Sequence, residues 1–186
     1  MIALIAGDLR RKALWCYGRD RRVDRLKALL TDGSLAMVLY RLMQWSHRRR
    51  LAPLAMVFNK MIGVCCHCVI GRGADFGPGL VLVHSMGIVI NGEVRGGSGV
   101  TIMQQVTLGA DERRCPTVGD GVFIGAGAKI IGPVSIGDGA RIGANAVVIY
   151  DVPAYATVGG IPARVVRRRE PGFDDAEIDS FFATSN

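Results

Sequence analysis

The sequence predicts a mainly β protein: a parallel β-helix of hexapeptide repeats, preceded by a short α-helical segment. Stepping six residues at a time from Val64 to Val148 meets apolar residues at fourteen of fifteen positions, where a 49% hydrophobic chain would give about seven. Glycine follows the apolar residue in six repeats, at Gly71, Gly77, Gly119, Gly125, Gly137 and Gly143, and the fifth position is often small, as at Ala74, Ala128, Ala140 and Ala146. A six-residue period fits neither a 3.6-residue helix nor a two-residue alternation. It fits one short strand and one tight turn per repeat, with the aliphatic side chain stacked inward coil on coil.

Residues 1–62 read as a basic helical segment. They carry 13 Lys and Arg against 4 Asp, a net +9, whereas the rest of the chain is close to neutral. Such a face is either simply solvated or drawn to an anionic membrane, so peripheral membrane association through the basic N-terminus is considered. No nucleic-acid motif accompanies the charge, and no nucleic-acid partner is expected. Leu35 to Trp45 lacks Gly and Pro and places Leu35, Val38, Leu39 and Leu42 on one helical face. Asp32-Gly33-Ser34 supplies the preceding break and a helix cap, and Pro53 marks the first turn of a further helix. No apolar run reaches the roughly 18 residues of a membrane span, because Asn59 and Lys60 break the best candidate. Five cysteines without scaffold spacing fit reduced thiols, so a cytoplasmic location is expected, at the membrane's inner face if the basic helices dock there.

Residues 63–168 are the β-helix domain. One repeat breaks the rule: Asp111-Glu112-Arg113-Arg114-Cys115-Pro116 puts a carboxylate where the core needs an aliphatic group. An unpaired buried charge is costly, so this segment is expected to leave the coil as a loop. Elsewhere the six-residue phase reads as unbroken, including past His84. A basic strand follows over Ile161 to Arg167, and residues 169–186 read as an acidic tail. Cys65-Cys66-His67-Cys68 is discounted as a metal site, because consecutive strand residues point to alternate faces; no metal is expected. Cys115 beside Arg113 and Arg114 could have a lowered pKa and form an acyl-enzyme, a reading that is likewise discounted.

His84 carries the chemistry. It falls at the third position of its hexapeptide, where the side chain points outward, and an imidazole can take a proton from an attacking alcohol. The stretch His84-Ser-Met-Gly-Ile-Val-Ile with Val100-Thr-Ile-Met-Gln-Gln-Val-Thr-Leu-Gly109, continued by Ile124–Ile130, Ile142–Val148 and Gly160–Arg164, resembles the serine acetyltransferase family. The resemblance implies a left-handed parallel β-helix, a homotrimer or dimer of trimers, and acetyl transfer from acetyl-CoA as co-substrate to a hydroxyl, with His84 as general base. It implies that Gly125, Ala126, Gly143 and Ala144 line the acetyl-CoA groove and that Arg164 and Arg167 meet the CoA phosphates.

The chain departs from that family at Val83 and Val69, where the family has aspartates, and at Cys115, where it has a histidine. The basic N-terminus, the His-x-x-Gly-Ile-Val-Ile-Asn stretch and Cys115-Pro116 are similar to colanic-acid and other exopolysaccharide acetyltransferases. The expected acceptor is therefore a sugar or exopolysaccharide hydroxyl, with Asp111, Glu112, Arg114 and Cys115 as acceptor-binding residues. Serine is the alternative acceptor, and a non-catalytic trimeric scaffold is the second alternative. In place of the aspartates, a backbone carbonyl, or Asp111 or Glu112 from a neighbouring subunit, is expected to orient His84.

Overall fold

The computed structural model describes residues 1–169. Four helices come first: α1 (Ile2–Tyr17), α2 (Arg22–Leu29), α3 (Ser34–Arg48) and α4 (Ala52–Cys66). Strands then follow in chain order: β1 (Val69–Ile70), β2 (Asp75–Phe76), β3 (Val81–Leu82), β4 (Val89–Ile90), β5 (Arg95–Gly96), β6 (Thr101–Ile102), β7 (Thr107–Gly109), β8 (Thr117–Val118), β9 (Phe123–Ile124), β10 (Lys129–Ile131), β11 (Ser135–Ile136), β12 (Arg141–Ile142), β13 (Val147–Val148), β14 (Ala156–Gly159) and β15 (Arg164–Arg168). Every third strand belongs to the same sheet. Sheet A stacks β1-β4-β7-β10-β13, sheet B stacks β2-β5-β8-β11, and sheet C stacks β3-β6-β9-β12-β14-β15. All neighbours are parallel except β14 and β15, which form an antiparallel lid over the far end. The core is the column of inward aliphatics, among them Ile70, Leu82, Ile102, Ile124, Ile130 and Ile142. The expected acidic tail lies outside the described residues, apart from position 169.

Strand pairing corrects the expectation of an unbroken phase. A regular coil takes 18 residues, as from Ile124 to its partner Ile142 or from Val118 to Ile136. Leu82, however, lies under Ile102, and Ile70 under Ile90, which are 20-residue steps. Coils that include the Asp111 loop take 22, as from Ile102 to Ile124. Two residues are therefore added near His84 and four near Asp111, together one full repeat. Between the two insertions, the six-residue count lands on Ile88, Val94, Val100 and Val106. These fill the inward corner positions rather than the strand centres, and all are fully buried. Both kinds of position demand an apolar residue, so the shift leaves no trace in hydropathy.

Other expectations change as well. Val64 sits in the last turn of α4 and is 72% exposed, so the coil starts at Val69. Cys65 and Cys66 belong to that helix, His67 is left-handed, and only Cys66 and Cys68 are buried. On α3 the buried face is Met37, Tyr40, Arg41 and Gln44, whereas Leu35 is exposed. Gly33 occupies the N-cap position without a side-chain bond. Pro53 does stand in the first turn of α4. No described helix is long and apolar enough to cross a membrane.

Polar groups are buried on α1 and α3 because of the way the solenoid begins. Backbone groups pair coil to coil in both directions: Val81 and Gly71 donate up to Val100 O and Ile90 O, whereas Gly87 and Gly99 donate down to His67 O and Pro78 O. The first coil has no coil beneath it, so its downward-facing carbonyls and N–H groups meet the helices instead, and once buried they need partners. Asn59 donates to Ile70 O, Tyr40 to Ala74 O, Arg41 to Phe76 O and Gly77 O, and Lys12 to Leu82 O and Val83 O. Arg41 also forms a two-pronged pair with Asp8 at 2.6 and 3.0 Å, and Asp8 accepts from the Gly79 and Leu80 N–H groups. Burial pushes the Asp8 carboxyl up, and Arg41 partly offsets this. Two cations of the basic segment thus serve the interior, and Arg10, Arg21, Arg25 and Arg48 pair with Asp20, Asp24 or Asp75. Two of the segment's thirteen cations are therefore structural, and four more are held in surface pairs.

Sheet B contains the tightest packing. Gly96 stands at a strand centre directly above Phe76. A Cβ on Gly96 would come within 2.2 Å of nothing but that ring, meeting Phe76 Cδ1 at 2.1 Å. Gly96→Ala is expected to destabilise the fold by about 1–3 kcal/mol through overpacking. Phe76→Leu in the same chain should recover part of that loss. Urea unfolding of the single and double variants is the check; a neutral Gly96→Ala would refute this account of the site.

Candidate active site

The edge between sheets C and A carries the turns that follow β3, β6, β9 and β12. Three of them share one conformation, with Gln105, Gly127 and Asn145 in the left-handed region at φ 60°, 73° and 56°, above Gly87 at 71°. Ladder bonds tie them together: Gln105 N–H donates to Met86 O, Gly127 to Gln104 O, and Asn145 to Ala126 O. The turn after β3 is the longer one. Val83 donates to Ile102 O just as Met103 donates to Ile124 O. Met86 therefore matches Gln104 and Val83 matches Met103, which leaves His84 and Ser85 as the inserted pair. An insertion at a turn pushes side chains out of the coil, and His84 is half exposed.

The inserted pair meets a carboxylate that the sequence reading had assigned only to helix punctuation. His84 Nδ1 lies 3.0 Å from Asp32 Oδ2, and the Ser85 hydroxyl donates to Asp32 Oδ1 at 3.4 Å. Gly33 N–H donates to the same Oδ1 at 2.7 Å. Burial alone would raise the Asp32 carboxyl, but its His84 and Gly33 hydrogen bonds outweigh this and hold it below its usual value. With Nδ1–H donating to a carboxylate, Nε2 is left with its lone pair free to accept a proton. Where a backbone carbonyl, or Asp111 or Glu112 of a neighbouring subunit, was expected, the group that meets Nδ1 within this chain is Asp32. It comes from the loop between α2 and α3, 52 residues before His84. The signal in the sequence was an acidic residue in a Gly-containing break; only the docking of that break onto β3 gives it a role.

The expected acetyl-CoA residues share His84's edge. Gly125 and Ala126 form the turn two coils above His84, about 10 Å away at the usual strand spacing, and Gly143 and Ala144 lie one coil further on. Gly125 is buried, Ala126 half-buried and Ala144 exposed. Arg164 and Arg167 lie on β15, with Arg164 beside Gly159 and its guanidinium 4.9 Å from the centre of the Tyr150 ring. In the turn above His84, Gln104 Oε1 is buried without a hydrogen-bond partner among the described residues.

The acceptor-loop residues lie elsewhere. Asp111, Glu112, Arg114 and Cys115 follow β7 and so occupy the edge between sheets A and B. Asp111 and Arg114 exchange both backbone hydrogen bonds around Glu112 and Arg113, which have φ of 46° and 69°. This is a two-residue hairpin with the left-handed geometry of a tight turn. Glu112 has left the coil, as expected. Cys115 is not activated: burial pushes its thiol up, the charge of nearby Glu93 adds to this, and Arg95 does not reverse it. Cys66 and Cys68 are likewise raised by burial, Cys68 to about 12. Among the described residues, no group of three or more potential ligands could hold a metal ion.

Known proteins share the fold and the repeat. The family described as Bacterial transferase hexapeptide (six repeats) matches residues 115–149. The serine acetyltransferase of Salmonella typhimurium is 36% identical over 167 residues, covering 87% of this chain and 60% of that protein. That of Escherichia coli K12 is 35% identical over 170 residues, with 88% and 62% covered. The chain thus spans about three fifths of the length of the curated relatives it matches. The structure of serine acetyltransferase from Vibrio cholerae aligns with a TM-score of 0.79 at 36% identity, over 89% of this chain and 67% of that one. A serine acetyltransferase in complex with CoA aligns at 0.77 and 35%, over 87% and 68%. A shared left-handed β-helix, the same hexapeptide repeat and this level of identity lead to one conclusion: the chain belongs to the serine acetyltransferase family of hexapeptide-repeat acetyltransferases.

Proposed function

We propose that this chain transfers the acetyl group of acetyl-CoA to the hydroxyl of a small acceptor, with His84 as general base. The observation that carries the proposal is the His84–Asp32 contact at 3.0 Å, on the same edge as the small-residue turns at Gly125 and Gly143. His84 Nε2 takes the hydroxyl proton as the oxygen attacks the thioester carbonyl carbon. Collapse of the tetrahedral intermediate breaks the carbon–sulfur bond, and the imidazolium returns the proton to the departing CoA sulfur. Asp32 holds the ring in the Nδ1–H form and stabilises the transient imidazolium. The open turns admit the co-substrate because Gly125, Ala126, Gly143 and Ala144 offer backbone and little side chain. Arg164 and Arg167 supply positive charge at the lid for phosphates.

Serine is the acceptor supported by the relatives described above, which are named for it. The sugar or exopolysaccharide hydroxyl expected from the sequence has no support among them. One observation keeps it as a second reading: Val83, next to His84, offers no charge, and Asp32 is already engaged, so among the described residues this edge has no spare carboxylate for an ammonium. The buried Gln104 oxygen is the remaining acceptor there, and a donor on the bound molecule would satisfy it. Because the Asp111 hairpin occupies a different edge, an acceptor touching both it and His84 requires two copies side by side. A trimer would supply such a neighbour.

The test is CoA thiol release from acetyl-CoA with serine, nucleotide-sugars and lipid-linked glycans, with products identified by mass. O-acetylserine formation supports the first reading, and an acetylated glycan without it supports the second. Binding of acetyl-CoA with no release for any acceptor would leave a scaffold.

A further inference from the structure

We propose that Lys12, on α1, is a positioning residue that locks Asp32 against His84, making the first helix part of the active site. The inference rests on the catalytic reading of His84. Lys12 is fully buried, and its ammonium spends all three protons on backbone carbonyls: Asp32 O at 2.7 Å, Leu82 O at 2.6 Å and Val83 O at 2.8 Å. Capping β3 needs only the last two bonds. The first reaches across to the loop that carries Asp32. One ammonium therefore ties the residue that orients the imidazole to the strand end that leads into the imidazole.

The tie is needed because the Asp32 and His84 side chains are 55% and 50% exposed. A pair so open to water is too weak to hold two separate segments in register. A second feature works in the same direction. Gly33 packs so closely on the strand end that an added Cβ would lie 2.2 Å from Leu82 O, and its φ is +80°. Loop and strand thus meet backbone to backbone, with Lys12 as the pin. Burial lowers the Lys12 pKa, and nearby Cys16 and Asp32 partly offset this.

The experiment uses the full chain with Lys12→Met, which keeps the stem and removes the ammonium, beside Asp32→Asn and the double variant. Ring 15N spectra of the three-histidine protein report the His84 tautomer without any substrate. The expected result is Nδ1–H in the parent and a shift toward Nε2–H in both single variants. With the active acceptor, kcat should fall by about 10²-fold in Lys12→Met, the scale of a small misplacement, with KM for acetyl-CoA unchanged. The double variant should be no worse than Asp32→Asn alone. A folded Lys12→Met protein with the parent's tautomer and kcat would overturn the proposal, as would losses that multiply. If Lys12→Met does not fold, Gly33→Ala keeps the lysine, displaces the loop and is read in the same way. Inactivity of the parent with every acceptor would sink the enzymatic reading alone, because the tautomer is read without turnover.

Discussion

His84→Ala is expected to lower kcat by about 10²–10⁴-fold, the usual contribution of a positioned general base. Acetyl-CoA binding should be unaffected, because the turns assigned to it lie two and three coils above His84. Their backbone bonds run through Met86 and Gln104 rather than through the imidazole. Folding should also be untouched, since the side chain is half exposed and belongs to a two-residue insertion outside the core. The comparison with Asp32→Asn is the more demanding one. An amide at that position can donate to Nδ1, which moves the ring proton to Nε2 and removes the base without removing the ring. Asp32→Asn should therefore approach His84→Ala in kcat while retaining its fold. Equal turnover of His84→Ala and the parent, followed by thiol release, would end the general-base mechanism.

Arg41→Ala should cost about 3–5 kcal/mol of stability, the range for removing one partner of a buried ion pair. The Arg41 side chain is fully buried and its guanidinium makes five hydrogen bonds: two to Asp8 and one each to Gln44, Phe76 O and Gly77 O. Truncation strands the Asp8 carboxylate and two first-coil carbonyls in the interior. Arg41→Lys should recover only part of the loss, because an ammonium has three donors where the guanidinium makes five hydrogen bonds in a fixed fork. Urea unfolding measures both; a loss below about 1 kcal/mol for Arg41→Ala, the value of a surface pair, would show the network to be dispensable.

The coil itself was legible because inward positions admit only apolar or small residues, and that rule survives any exchange between strand centre and corner. The same tolerance hid the insertion at His84-Ser85. Ile88 is as apolar as Ile90, so counting by six passes from one class of site to the other without a mismatch. Glu112 was visible because a carboxylate satisfies neither class. Asp32 was not, because its role depends on Gly33 meeting Leu82, a contact between segments 49 residues apart that no local pattern encodes. Lys12 and Arg41 stayed hidden in the basic segment for a related reason. In sequence they look like Arg11 and Arg48, and only the docking of the helices on the first coil shows which carbonyls await them.

That open end has a wider consequence. A stack in which each coil pairs its backbone with the next is an extendable lattice, with nothing in its geometry to say where it stops. Its leading end presents six carbonyls, at Ile70, Ala74, Phe76, Gly77, Leu82 and Val83, and N–H groups at Phe76, Gly79 and Leu80. Left bare, these would invite the backbone edge of another molecule and end-to-end growth into filaments. The helices act as a terminator, and the edge dictates their chemistry: lysine, arginine, asparagine and tyrosine donate to the carbonyls, while Tyr40 and Asp8 accept from the N–H groups. One of those terminating side chains is Lys12, so the same device that ends the polymer also sets the geometry of the base.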